Sequence, residues 1–283
     1  MPIAYAYRPD GLNVTQSFDS PTVYLDHWAL MTFAQDRVLQ DRLVADLDRK
    51  RGTLLLSTVS FGEFAAPADP RHCREAEDFI DRIMPRVFLT DLRPDETIRQ
   101  EEGQRDNRVR FPPSSDEPQL RLLVRRCVEE NRDLSMRDFI GLARVHARQI
   151  ALHIAYWNER FRGAFDEARQ DNAYRRRARE VVPNVQRPRS LVICGELLRG
   201  FAIDQRAPLT DNNIVDFMHA FMSVNCCDFV LLDAAWANRV EEMRRRIAAN
   251  DPAMEIARCY SRRNHGLERF LNDLEVFQAA AVA

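Results

Sequence analysis

The chain has 283 residues, 45% of them hydrophobic and 30% charged, with a net charge of −2. That length accommodates one large domain or two small ones, and the composition is that of an ordinary globular protein. A charge so close to balance gives no whole-chain signature of a nucleic-acid binder, and no run approaches the ~20 apolar residues of a membrane span. The N-terminus lacks the basic-then-apolar order of a signal peptide. The six cysteines (Cys73, Cys127, Cys194, Cys226, Cys227, Cys259) show no CxxC and no zinc spacing, so they read as reduced thiols of a cytoplasmic protein. Lys50 is the sole lysine. Arginine's planar fork suits phosphate, although a coding bias produces the same composition.

A polar lead of some 20 residues precedes a strand at 22–26, and a helix follows over roughly 28–50, ended by Gly52. "TLLLSTVSFGEFA" supplies a second strand, Leu54 to Ser57, running into a short helix with Glu63. A helix over 71–84, a strand at 86–91 and a helix opened by Pro94 complete a β-α-β-α-β-α order. This order is the signature of a parallel sheet with helical crossovers. From 106 to 205 strand signals lapse: "FPPSSDEP" is a loop, and Arg-rich helical segments cover about 119–130, 134–180 and 189–202. The pattern resumes with a helix at 211–224, a strand at 228–233 and a helix at 234–249, and the tail 253–277 holds a short strand and a last helix.

The expected fold is therefore α/β: a central parallel sheet with helices on both faces. Its sheet is drawn from 20–105 and 206–250 within a domain spanning 20–250, around a helical insertion at 106–205. A tail at 251–283 packs on that domain.

Acids fall where such a sheet places its ligand site, beyond the carboxyl ends of the strands. Asp26 ends the first strand and Asp233 ends "CDFVLLD"; Glu63 lies in the first turns after the second strand, and Asp216 lies early in the helix feeding the last. Taken singly, each has a plainer reading. An aspartate after a strand is commonly a helix N-cap, Glu63 a solvent-facing helix acid, and Asp216 points away from the stripe of Ile214, Phe217, Met218, Phe221 and Met222. Jointly they would place four carboxylates at one edge. Such a cluster is stable only when protonated, paired with arginine or neutralised by a divalent ion. Oxygen donors without His or Cys suit Mg²⁺ or Mn²⁺, whose usual chemistry in such a setting is phosphodiester hydrolysis. Asp228 opens the strand that Asp233 ends, about 16 Å away at ~3.3 Å per residue, and reads as structural. Asp211, after Thr210 at a helix start, reads as a cap or as support for the acids.

The stretches "VYLDHWAL", "LLLSTVSFGEFA" and "DNNIVDFMHAFMSVNCCDFVLLDAAW" resemble the PIN-like family of metal-dependent nucleases, which includes the toxin ribonucleases of toxin–antitoxin pairs. The resemblance covers about 150 residues, 20–100 and 206–250, and assigns the family's acids to Asp26, Glu63, Asp216 and Asp233. Ser57 also matches the family's pattern. The family implies a sheet-centred α/β/α fold, Mg²⁺ or Mn²⁺, cleavage of single-stranded RNA, and an inhibitory protein partner for its toxin members. The final motif departs from the pattern by lacking a polar residue just before Asp233, and the small toxins have no comparable insertion.

His27 and His219, beside Asp26 and Asp216, are candidates to touch a phosphate or to be hydrogen-bonded neighbours. Between Glu159 and Ser190 nine arginines stand against five acids. With the interleaved aromatics, Arg175, Arg176, Arg177 and Arg179 form a candidate nucleic-acid face, as do Arg244 and Arg245 after Asp233. A solvated helix laced with ion pairs gives the same composition. The reading is thus a ribonuclease with metal ligands Asp26, Asp233, Asp216 and Glu63. A catalytically inactive module of the same fold, binding protein or RNA, and a structure-specific DNA nuclease stand as alternatives. Oligomeric state has no sequence signal.

Overall fold

The computed structural model describes residues 3–8, 11–57, 59–60, 63, 70–91, 93–102, 108–115, 117–132, 135–204 and 210–278. The lead, read from sequence only as polar, folds into a hairpin of β1 (Ile3–Arg8) and β2 (Gly11–Gln16). Leu12 and Val14, two apart on β2, turn to one side and are buried, as the two-residue period of a strand requires. Gln16 then ties the hairpin to the sheet: its side chain donates to the Leu89 carbonyl at 2.9 Å and accepts from the Leu89 N–H at 2.8 Å. An amide side chain thus occupies backbone groups of an edge strand that would otherwise be open to another chain.

The main sheet comprises β3 (Thr22–Leu25), β4 (Thr53–Ser57), β5 (Val87–Thr90), β6 (Phe229–Leu231) and β7 (Arg258–Tyr260). Every pairing is parallel, in the order β5-β4-β3-β6-β7. The α/β fold expected from the element order is the fold observed. β7 extends the sheet past residue 250, so the tail contributes a strand as well as covering the domain.

The helices are α1 (His27–Gln35), α2 (Arg37–Lys50), α3 (Pro70–Ile83), α4 (Pro94–Glu102), α5 (Glu117–Glu129), α6 (Met136–Val145), α7 (Ala147–Gln170), α8 (Asn172–Glu180), α9 (Arg189–Ile203), α10 (Asp211–Cys226), α11 (Ala234–Ala248) and α12 (Gly266–Val276). Alternation along the strands sorts them into two layers. Val23, Leu25, Leu54, Leu56, Phe229 and Leu231 face α1, α2, α3, α5, α6 and α12. Tyr24, Leu55, Phe88 and Val230 face the other core, built with α7, α9, α10 and α11. Burial on both faces explains why the strands read as continuous apolar runs rather than alternating ones. The insertion therefore adds helices to both layers of the sheet.

Two long helices expected from sequence are broken by aspartates. Over 28–50, Asp36 accepts from the N–H groups of Val38 and Leu39 at 2.9 and 3.1 Å and restarts the chain as α2. Over 134–180 the breaks are at His146 and at Asp171, which caps α8 through Ala173 and Tyr174. Apolar periodicity passes through such points because the flanking turns still face the same core. Replacing Asp36 by Ala is expected to lower stability by about 1 kcal/mol in urea unfolding, and Asn to restore it, because the cap and not the charge carries the effect.

Asp228, at the start of β6, has the structural role expected of it. Its Oδ2 accepts from Ser20 Oγ, Thr22 N and Thr22 Oγ1 at 2.7–2.9 Å, and Oδ1 accepts from Arg110 at 2.5 Å. One buried carboxylate therefore locks the entrance of β6 to the entrance of β3. Among the described residues no helix is long and apolar enough to cross a membrane.

Candidate active site

The strand order decides where a site can form. From β3 the chain moves outward through β4 to β5, then returns to lay β6 on the opposite side of β3. The switch point lies between β3 and β6, and in open α/β sheets ligands bind in the crevice beyond the carboxyl ends at that point. Leu25 is registered with Leu231, and the next residue, Asp26, donates its N–H to the Leu231 carbonyl at 2.9 Å. Asp26 and Asp233 thus leave neighbouring strands at the switch point.

Both aspartates cap the helices they precede. Asp26 Oδ1 accepts from His27 N at 2.8 Å, and Asp233 Oδ1 accepts from Ala235 N at 2.7 Å and Trp236 N at 2.8 Å. The plain capping reading and the clustered-acid reading are therefore both true of these residues. A carboxylate offers about four lone-pair sites on two oxygens, so capping leaves capacity for a second partner. The Asp233 backbone N–H lies close enough to the Asp26 carboxylate to favour its charged form.

Asp26, Glu63 and Asp216 act on one another electrostatically across the cleft, and Asp233, outside its lining, acts on Asp26 and Asp216. Burial, followed by Asp26 and Asp216, pushes the Glu63 carboxyl up to about 8. Burial, then Asp26 and Asp233, raises Asp216 to about 7, against an opposing hydrogen bond from the Trp236 side chain. Burial raises Asp26 to about 6 and Asp233 adds to it, while the His27 N–H pulls the other way. Tyr24, buried beneath them, is raised well above the usual phenol value by burial and then by Asp26, Glu63 and Asp216. Asp216 is half-buried rather than solvent-facing because α10 is enclosed on nearly all sides by the sheet, α7 and α9. The side of α10 outside its apolar stripe therefore faces the cleft.

The cleft has a volume of about 770 Å³ and is lined by Asp26, His27, Glu63 and Asp216, with Asp211 also in its wall. Asp211 is ion-paired with Arg162. Ser57 and His219 lie deeper: Ser57 Oγ is 3.3 Å from His219 Nε2 and 3.1 Å from Ser60 Oγ. His219 is fully buried, and that burial lowers it to about 4, so it is a neutral prop beneath the acids. Burial also lowers His27, which remains at the cleft surface.

The arginines singled out from sequence are not in this cleft. Arg175, Arg176, Arg177 and Arg179 ride on α8; Arg177 lines a separate pocket with Tyr174 and Arg199. Arg244 and Arg245 sit eleven and twelve residues along from Asp233, roughly 16 Å down α11 at 1.5 Å per residue. In their place Arg144 and Asn158, from α6 and α7, line the cleft. Asn158 is 6% exposed, and its Oδ1 has no hydrogen-bond partner among the described residues, leaving a buried acceptor beside the acids. Sequence reading missed Arg144, Asn158 and Trp236. Only Trp236 had a local signal, its place three residues after Asp233.

Among the described residues no three His, Cys, Asp or Glu side chains close into a ligand cage. The donor set nonetheless fits a hard divalent ion. Its members are all oxygen, their mutual repulsion is what a cation relieves, and Mg²⁺ keeps several waters while taking only one or two carboxylates directly. Comparison with known protein families, curated proteins and solved structures finds no match to this chain.

Proposed function

We propose that this chain is a divalent-metal-dependent nuclease that hydrolyses phosphodiester bonds of single-stranded RNA. The observation that carries the reading is the meeting of Asp26, Glu63, Asp216 and Asp233 at the switch point of a parallel sheet, each of the first three raised by burial and by another acid of the set. The resemblance of the same stretches to PIN-like nucleases supports it. Mg²⁺ or Mn²⁺ would be held by Asp26 and Asp233, with Asp216 and Glu63 completing the shell through water. The ion supplies Lewis acidity at the phosphoryl oxygen and eases deprotonation of the attacking water. The protein's own groups do the rest. Glu63 lines the cleft beside Asp26 and Asp216, placed to take or return a proton. The Trp236 side chain favours the charged form of the Asp216 carboxyl. Asn158 Oδ1 offers an acceptor to a substrate N–H or hydroxyl.

The test is incubation of labelled single-stranded RNA and single-stranded DNA with Mn²⁺, Mg²⁺ or chelator, beside Asp233→Asn. Asparagine caps a helix as well as aspartate does, so the variant keeps α11 and loses only charge. Cleavage of RNA that needs metal and that Asp233→Asn lacks is the expected result; preferential cleavage of DNA would reassign the substrate. The reading of a non-catalytic module rests on the open arrangement of the acids. It is the conclusion if neither strand is cut and Mn²⁺ leaves the melting temperature unchanged.

A further inference from the structure

On the far side of Asp233 lies a second cleft, of about 620 Å³. Asn238 and Arg244 enter it from α11, Arg258 from β7, Arg263 from the following loop and Arg269 from α12. Two acids share the lining and both are engaged: Glu241 lies 3.7 Å from Arg244, and Asp273 accepts from the Tyr260 hydroxyl at 2.5 Å. Arg258, Arg263 and Arg269 form no ion pair with any described residue. Three arginines gathered in one concavity whose two acids are already engaged mark a place for an external anion. Arginine's fork suits phosphate in particular.

The cleft's position relates it to the acids. Tyr260 is registered with Leu231 across the β6–β7 pair, so the chain leaving β7 stands one strand, ~4.8 Å, beyond the chain leading to Asp233. Ala237 and Asn238, one turn after Asp233, form part of its wall. The loop after β7 also reaches toward the first cleft: the Arg262 guanidinium lies over the Trp28 ring, 5.3 Å from its centre, two residues after Asp26. Gly266 permits this loop to close, since a Cβ there would collide with the Ser261 carbonyl oxygen. Arg262 and Arg263 are therefore presented by a tight turn.

We propose that this arginine cleft is a phosphate-binding site that grips the backbone of a single-stranded polynucleotide adjoining the scissile phosphate at Asp26 and Asp233. It deepens the nuclease reading and rests on it for the direction of the strand. The strand crosses the N-terminal turn of α11, with its reacting phosphate in the acidic cleft and neighbouring phosphates against Arg258, Arg263 and Arg269. The arginines of α8 play no part in this path.

The test separates binding from cleavage. Fluorescence anisotropy of labelled oligouridylate, in chelator and across a salt series, is measured for the wild-type chain, Arg258→Ala/Arg263→Ala, and Arg121→Ala/Arg126→Ala. The last pair removes equal charge from exposed arginines on α5 already paired with Glu117 and Glu130. Removing two phosphate contacts should flatten the slope of log affinity against log salt by about 1.4 and weaken binding at low salt on the order of tenfold, with the α5 control near wild type. Both substituted cleft residues are exposed, and an unchanged melting temperature certifies the fold. Equal affinity and slope for wild type and cleft variant overturn the proposal, as does an equal loss in the α5 control or no binding by the wild-type chain. Asp233→Asn in the metal-dependent cleavage assay keeps the two readings apart. If it still cuts RNA, the acidic site is misassigned, whereas the arginine cleft is judged on anisotropy alone.

Discussion

Asp26→Asn is expected to lower metal-dependent cleavage by about a thousandfold, roughly 4 kcal/mol of lost transition-state stabilisation, while raising the melting temperature of the metal-free protein at pH 8. The two effects have one cause. Among neighbouring charges Asp26 acts most strongly on both Glu63 and Asp216, so removing it relieves the repulsion that a cation would otherwise relieve. The asparagine oxygen still accepts from His27 N, as Asp26 Oδ1 does at 2.8 Å, so α1 keeps its cap. A gain of about 2 °C or more is expected in a chain of this size. Differential scanning fluorimetry with and without Mn²⁺, beside the RNA assay, checks both. Loss of cleavage with a lowered melting temperature would mean that Asp26 is chiefly a structural residue.

The second large effect is on pH. Asp26, Asp216 and Glu63 are carboxyls whose folded-state values, about 6, 7 and 8, lie above those of an unfolded chain. In that interval the folded state holds protons that the unfolded state has released, so stability falls as pH rises through it. His219 acts oppositely at lower pH. Burial lowers it to about 4, so below its unfolded value of ~6.5 the unfolded state binds the extra proton and stability rises with pH. Buried thiols such as Cys194, raised to about 11 by burial, add to the fall as pH nears the unfolded thiol value of ~8.5. The acids therefore dominate from about pH 7 to 7.5. There the melting temperature of the chelated protein should fall with pH, and Mn²⁺, binding the ionised carboxylates, should restore it increasingly toward pH 8. Glu63→Gln should flatten the chelated profile most at its alkaline end. A wild-type profile flat across this interval would show that burial and mutual repulsion do not raise these carboxyls.

How much of this was legible in the sequence differs by residue. Asp26 and Asp233 could be found because a strand that ends on an acid is a local event, and parallel strands share one carboxyl edge. Asp228 was separable from Asp233 because strand spacing puts the two at opposite ends of β6. Asp216 was harder: helical period alone points it to solvent, and only the enclosure of α10 by distant helices turns that side into a cleft. Arg144 and Asn158 reach the site from the insertion by tertiary packing, which leaves no trace in local spacing. The β1–β2 hairpin was missed although "RPDG" between "IAYAY" and "LNVTQ" is a turn signal. With few large apolar residues, the alternation of those strands is faint. The break at Asp36 was missed because apolar period outweighed a capping residue that periodicity does not register.

The pairing of β3 with β6 has a consequence for how the protein is made. Val23 meets Phe229 and Leu25 meets Leu231, partners separated by about two hundred positions of chain. Contacts so distant in sequence form late, because the intervening loop must first be closed. During synthesis β3 and β4 can pair early, but the carboxyl-edge crevice has only one wall until β6 has emerged. Asp233 is the last of the four acids to be made, so the crevice closes in one late step rather than growing acid by acid.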